Sequence, residues 1–242
     1  MEYRYFVPRL VSGTFSHDGQ DYDLLAPATG TNGVSGGYNF DTQPSPINSA
    51  LFQLQVDRLG LRLRVDEDLI FRGMHGDPNN LRLSELDLSS TRLGMDLDLL
   101  RYPFLRCGVD FDYNVNPLTF QDDKPGSYRF YKSASPATLG LHVFAIPARI
   151  REVPIIVNAK IGFPFPYWKQ ITSAQFEVRM LEWEVMAGAR PSVWDFSAFG
   201  HSTFSVGIEA GFRSVAIDAD LSKSASLKAQ WQGPFFQLGI YY

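Results

Sequence analysis

The side chains of this chain that could move a proton at neutral pH are its four histidines, and each sits in a different setting. His17 and Asp18 share a polar stretch with Asp21 and Asp23. His75 and Asp77 form a second pair, and His201-Ser202 precedes Glu209. His142 is flanked by apolar residues, with Gly140 two positions before it. A Ser-His-acid hydrolase needs a histidine oriented by a carboxylate and within reach of a hydroxyl, and adjacency in sequence does not supply that geometry. His17-Asp18 together with His75-Asp77 has the residue types of a proteolytic dyad and nothing more specific. The carboxylates at 18, 21 and 23 lack the EF-hand spacing and its closing glutamate, so they read as a solvated acidic loop. His142 reads as a hydrogen-bonded interior histidine and Cys107 as a small hydrophobe. The expectation is no catalytic residue, no metal and no cofactor.

Composition narrows the class. The 242 residues carry 45% apolar and 20% charged side chains, too apolar and too weakly charged for a disordered chain. A net charge of −4 and a pI near 5.6 argue against nucleic acid as a partner. One cysteine excludes an internal disulfide and a Cys-based zinc site. Aromatics reach 14%. The basic residues are 16 Arg and 6 Lys, with no Lys before Lys124. A soluble β-protein scatters Lys over its solvated faces, whereas Arg suits enclosed, paired positions. No apolar run is long enough for a transmembrane helix, a test that says nothing about alternating strands.

The elements that must position these charges are strands. Period-2 apolar sets run through Leu59–Val65, Leu93–Leu99, Leu105–Val115, Ala137–Ala145, Val153–Phe163, Leu181–Ala189, Phe204–Phe212 and Phe236–Tyr242. The opposite face carries Arg62, Arg64, Asp66, Arg92, Asp96, Asp98, Arg106, Asp110, Asp112, His142, Lys160, Glu182, Glu184, Arg190, Glu209 and Arg213. It also carries a glycine in every one of these strands, among them Gly60, Gly94, Gly108, Gly140 and Gly162. Recurrent glycine on a polar face implies a crowded, strongly curved interior. Near-equal numbers of cations and carboxylates are what an enclosed network requires, because an unpaired buried charge is costly. The sequence therefore predicts an all-β, single closed antiparallel up-and-down transmembrane β-barrel spanning 1–242, with its apolar face toward lipid and its charges in the lumen; the alternative is a soluble barrel or sandwich with the apolar set inside, which would leave Gly, Arg and Asp on the outer face with hardly any Lys.

Counting strands gives ten. Phe52, Leu54 and Val56 are followed by a phase flip to Leu59, which a two-residue turn at Asp57-Arg58 explains. Arg4–Phe15 supplies the strand an even count needs, with 16–47 as a long outer loop, although Pro8 interrupts it. The alternative is eight strands, with one bulged strand over 50–72 and an N-terminal extension over 1–48. Segments 73–90, 117–135, 164–173 and 222–226 are expected as outer loops, and 193–199 as at most one helical turn.

The alternating strands and the C-terminal Phe236-Gln237-Leu238-Gly239-Ile240-Tyr241-Tyr242 resemble bacterial outer-membrane β-barrel proteins as a class. The resemblance covers about residues 48–242, and Gln237 stands where the class commonly has glycine. It implies a Gram-negative outer-membrane location with a leader removed, recognition of the last strand by the barrel-assembly machinery, and lipid and lipopolysaccharide as surroundings. Within that class Phe163, Phe165, Tyr167 and Trp168, with Trp194, Phe196, Phe199 and Tyr242, read as interfacial aromatic girdles. The leading functional expectation is a plugged anchor, adhesin or platform binding a protein or glycan at its outer loops. The alternatives are a narrow porin-like pore and an enzyme acting on lipid or peptide.

Overall fold

The computed structural model describes residues 1–26, 38–41, 46–67, 69–77, 80–116, 118–124, 127–165, 177–196 and 202–241. Within these, side chains are described except at 75–77, 80–82, 122–124, 127–129, 193–196 and 202–204. The described residues form strands and no helix: β1 (Glu2–Phe6), β2 (Arg9–His17), β3 (Gln20–Asp23), β4 (Ile47–Val56), β5 (Leu59–Asp66), β6 (Ile70–Asp77), β7 (Asn80–Asp87), β8 (Ser90–Tyr102), β9 (Leu105–Asn114), β10 (Thr119–Lys124), β11 (Ser127–Lys132), β12 (Ala137–Ile150), β13 (Val153–Pro164), β14 (Val178–Ala189), β15 (Ser192–Phe196), β16 (Ser202–Asp220) and β17 (Ala225–Tyr241).

Ten antiparallel staves close into a barrel, in the order β1/β2, β4, β5, β8, β9, β12, β13, β14, β16, β17 and back to β1/β2. The first stave is two strands in line. Glu2 to Phe6 pairs with Gly239 to Phe235, and Arg9 to His17 continues along the same β17 from Gln232 to Ala225. The break falls at Val7-Pro8. Proline has no N–H for the ladder, and Val7 N instead donates to Pro234 O at 3.0 Å. Gly233 faces this break, where a Cβ would collide with the Val7 carbonyl. This resolves the strand count at ten and removes the eight-strand alternative, because residues 2–17 are part of the wall.

Tight turns fix the register at one end. Asp57 (φ 51°), Arg151 (φ 49°) and Glu152 (φ 71°) adopt the left-handed conformation that two-residue hairpin turns demand. Both ends of the chain's wall also lie here, since the Met1 amino group donates to Ile240 O at 2.9 Å. We call this the turn end and the opposite end the loop end. Two sequence expectations change. Residues 192–196 form strand β15 on β16, not a helical turn. Segments 73–90 and 117–135 are not irregular loops but carry the hairpins β6–β7 and β10–β11, which join as a four-stranded sheet, β11-β10-β7-β6. Its inner face is one cross-strand row, Phe71–Leu86–Phe120–Tyr131.

That row caps the barrel. Phe120 stacks on Phe15 of β2 at 4.5 Å, and Tyr38 meets both rings edge-on at 5.6 and 5.8 Å. The cluster continues into the upper lumen through Leu10, Val215, Ile217, Leu227, Trp231 and Phe235, all buried. Outward, Leu61, Met95, Leu141, Val185, Ile208, Phe236 and Leu238 are exposed around the turn-end half of the wall. So the single apolar face expected from the sequence is only half the account. Near the loop end the lumen itself is apolar, because there the strands rise past the outward apolar band and pack on a cap.

Candidate functional site

Below the apolar cap the lumen holds a belt of charged and polar side chains delivered by alternation, with Ser49 on β4 and Gln237 and Tyr241 on β17 as the uncharged members. One cluster centres on Arg62 of β5. Its guanidinium lies 2.7 Å from Asp110, 3.3 Å from Asp112 and 3.4 Å from Asp96. Lys160 adds a second cation on Asp112. His142 lies 2.9 Å from Asp98 and 3.3 Å from Asp110. Gly94 sits between these side chains on β8, and a Cβ there would collide with Asp112.

A second cluster crosses the lumen. Asp66 accepts from Arg64 at 2.9 Å, from Arg213 at 3.0 Å and from Ser49 at 2.5 Å. Arg213 also donates to Glu182 at 3.1 Å, and Glu182 is shared with Arg92. Arg64 reaches Glu184 at 3.2 Å. Asp66, Arg213 and Glu182 are almost wholly buried. In such a setting each charge needs its partners, since removing one leaves the rest uncompensated.

The third cluster stitches the closure seam. Arg4 holds Glu184 in a two-pronged contact at 2.6 and 2.9 Å and donates to Gln237 at 2.9 Å. Gln237 donates to Glu209 at 2.9 Å, and Glu209 accepts from Arg190 at 2.7 Å and Tyr241 at 2.8 Å. Gln237 thus relays between the first and last staves from the position where the class commonly has glycine. Glu2, Arg4, Ser49, Gln237 and Tyr241 were not among the sequence-derived site residues. The signal was present, because Tyr3 and Tyr5 point outward and alternate with Glu2 and Arg4.

Of the lumen residues anticipated from sequence, Arg62, Arg64, Asp66, Arg92, Asp96, Asp98, Asp110, Asp112, His142, Lys160, Glu182, Glu184, Glu209 and Arg213 are drawn together in these clusters. Arg106 differs. Among the described residues no carboxylate stands within ion-pair distance, and its guanidinium lies 4.6 Å over the ring of Phe144. The reason is local: β8 has an irregularity between Asp98 and Leu100, which sets Arg101, not an acid, opposite Arg106.

The anticipated interfacial aromatics are less converged. Phe163 is exposed on the wall, and Phe165 meets Phe111 edge-on at 5.7 Å. Trp194 and Phe196 lie on β15 at the turn end by backbone position. Tyr167, Trp168, Phe199 and Tyr242 lie outside the described residues, as does His201. His17 ends β2, 3.1 Å from Asp18, while His75 and Asp77 belong to β6 of the cap sheet. Cys107 is a half-buried free thiol on the wall. Among the described residues no set of three or more His, Cys, Asp or Glu is arranged to hold a metal ion.

Between the belt and the turn end lies a cavity of about 540 Å³, lined by Arg4, Arg62, Arg64, Asp96, Asp98, Arg106, His142, Phe144, Asn158, Glu184, Arg190 and Tyr241 among others. Toward the loop end it meets the charge belt, above which lies the apolar cap. The lumen is therefore a pocket closed at one end.

Comparison with known proteins adds no assignment to the fold described above. No family model matches the chain, and no curated protein matches it. Among solved structures it is similar to the outer membrane protease OmpT from Escherichia coli, at 10% identity over 98% of this chain and 95% of that one, with a TM-score of 0.35. It is also similar to the CymD monoaromatic hydrocarbon channel, at 9% identity over 99% and 89% of the two chains, with a TM-score of 0.27. At that distance neither likeness bears on activity. The arrangement cross-links the ten staves through their interiors.

Proposed function

We propose that the protein is an integral outer-membrane barrel with a sealed lumen, serving as an anchor, adhesin or partner-binding platform through its loop-end sheet. The observation that carries this reading is the sealed loop end, apolar cap upon ionic belt, on a barrel whose outward face is apolar. An outward belt of Leu, Ile, Val and Phe on a ladder with no free edge suits a hydrocarbon environment, where every backbone group must be paired internally. A lumen filled by paired side chains and aromatic rings offers no solute path. The cap sheet turns Met74, Leu83 and Phe130 away from the barrel, about half exposed, beside the Arg72–Glu85 pair at 3.1 Å. That mixture of apolar and polar side chains on a hydrogen-bonded sheet suits a protein or glycan partner. Outer-membrane lipid and lipopolysaccharide surround the wall on this reading, and Phe236–Tyr242 is the segment the assembly machinery reads.

The test is conductance across a planar bilayer. The sealed reading expects silence at any modest potential, together with a mobility difference between boiled and unboiled samples on a gel. Reproducible ion-conducting steps would overturn it and promote the narrow pore. Cleavage of peptide or modified lipid A in the purified protein's presence would promote the enzyme.

A further inference from the structure

We propose that the turn-end cavity is a binding site for a small soluble anion, a carboxylate or phosphate, held by Arg106 and Arg190, whose guanidinium groups share contact with the ring of Phe144. The proposal rests on the sealed-lumen reading, since a pocket closed above favours binding over passage.

Charge placement is the first argument. The other lumen arginines each have a carboxylate within ion-pair distance, and Arg106 has none among the described residues. Asp98, on the neighbouring strand, meets His142 at 2.9 Å through Oδ1 and forms no ion pair with Arg106. Arg101 stands directly opposite Arg106 in the β8–β9 ladder and is engaged by Asp57 at 3.1 Å. A small anion in the cavity would give Arg106 the counter-charge that the other lumen arginines already have.

Preorganisation is the second. Arg106 lies over the ring of Phe144 at 4.6 Å, and Arg190 approaches the same ring at 5.4 Å while stacking on Tyr241 at 3.6 Å. Arg190 keeps Glu209 through its Nε, so its outer nitrogens remain as donors. Asn158 pairs with Phe144 across β12–β13 and lines the same cavity, adding a neutral donor. Guanidinium groups fixed by an aromatic lose little freedom when they fork onto a carboxylate or phosphate. The barrel wall separates the cavity from surrounding lipid, and its volume of about 540 Å³ accepts a small molecule.

The experiment uses the full chain folded in dodecylmaltoside micelles, titrated with inorganic phosphate and, separately, with succinate. Binding is read by ³¹P line width for phosphate and by calorimetry for succinate. The expected result is saturable binding of at least one probe, weakened about tenfold or more by Arg106→Gln and unchanged by Arg149→Gln, exposed at the turn-end hairpin and not lining the cavity. Phe144→Leu keeps both guanidinium groups but removes their support, and weakens binding by a smaller factor. It carries the test if Arg106→Gln does not fold. Absence of saturable binding of both probes to the folded wild type, or binding unaltered by Arg106→Gln and Phe144→Leu, overturns the proposal. Conductance is measured on the same preparation: a silent barrel that binds neither probe sinks only this proposal, whereas a conducting barrel that binds one sinks only the sealed reading.

Discussion

Strand β17 carries two alternating patterns end to end. From Ala225 to Gln232 the inward residues are Ala225, Leu227, Ala229 and Trp231, and the outward ones are Ser226, Lys228, Gln230 and Gln232. From Gly233 onward the inward set becomes Gly233, Phe235, Gln237, Gly239 and Tyr241, while Pro234, Phe236, Leu238 and Ile240 point out. β16 beside it does the same. Val215, Ile217 and Ala219 fill the upper lumen, whereas Gly207, Glu209, Gly211 and Arg213 line the lower one. The backbone keeps its phase through the change, and only the polarity of each face reverses. One half is built for a surrounding that is apolar outside and ionic inside. The other is an ordinary amphipathic sheet with polar side chains outside and an aromatic cap within. On the outer-membrane reading, the boundary of the hydrocarbon therefore crosses these staves near Ser214 and Gly233-Pro234.

The sharpest way to break this contrast is to delete one member of the ionic belt and one of the apolar fill, two residues apart. Arg213→Met leaves Asp66 and Glu182 each short of a donor in a buried setting, at a cost of about 3–5 kcal/mol. Val215→Ala removes two buried methyl groups, at about 2 kcal/mol. Guanidinium unfolding in micelles, followed by the gel-mobility change, gives both. A smaller loss for Arg213→Met than for Val215→Ala would mean the belt is solvated and its pairs are weak.

The outward faces offer the next comparison. Ile208→Arg places a charge in the apolar band, at about 2–4 kcal/mol near the hydrocarbon midplane. Ala216→Arg, eight residues along on the same face of β16, lies in the half whose outer neighbours are Ser214 and Asp218, and should change stability by about 0.5 kcal/mol or less. Folding yield into vesicles of defined lipid, scored for each variant, separates the two. Equal yields would place the hydrocarbon boundary elsewhere.

Much of the lower half was legible in the sequence, and the upper half was not, for a physical reason. Alternation reports which residues share a face and does not say what surrounds it. Phe204–Phe212 and Phe236–Tyr242 read as lipid-facing, and the charges between them as luminal, because apolar outside with Arg and Asp inside has few alternatives. The parity flip to Val215, Ile217 and Ala219 contains the inversion, yet a flip of parity is equally the mark of a bulge or turn. Phe71, Leu86, Phe120 and Tyr131 also alternate within their hairpins, but each run is short and bounded by Gly, Pro and Asn, which reads as loop until four runs are seen to stack. The first stave was legible as a strand although Pro8 interrupts it. Its share of the belt, Glu2 and Arg4, went unread because their partners Gln237 and Tyr241 lie at the far end of the chain.

Glycines extend the comparison at lower energy. Gly94 of the belt faces Asp112, whose carboxylate is fixed by Arg62 and Lys160. Gly94→Ala must displace a held ion pair, and overpacking of that kind costs about 1–3 kcal/mol. Gly13 of the upper half faces the end of Leu24, with Cδ1 2.5 Å from a would-be Cβ. Leucine can change rotamer within the cap, so Gly13→Ala should cost less than Gly94→Ala in the same unfolding assay. Reversal of that order would show the cap to be the more rigidly packed region.

The smallest effect expected separates ion pairs by half. Lys228 and Asp218 face each other outside the upper wall at 3.8 Å, both substantially exposed. Arg213 and Asp66 meet inside the lower wall at 3.0 Å with almost no exposure. An exposed pair gains little in water, holds two mobile side chains in one geometry and is screened by salt. Lys228→Ala is therefore expected to cost about 0.5 kcal/mol or less, with any loss vanishing as ionic strength rises. The belt pair lies beyond the reach of mobile ions, so the cost of Arg213→Met should persist in high salt. Running both variants across a salt series makes the distinction independent of absolute stability. A salt-sensitive Arg213→Met would mean that ions and water reach the belt, and a salt-insensitive, costly Lys228→Ala would mean that the upper wall is not facing water.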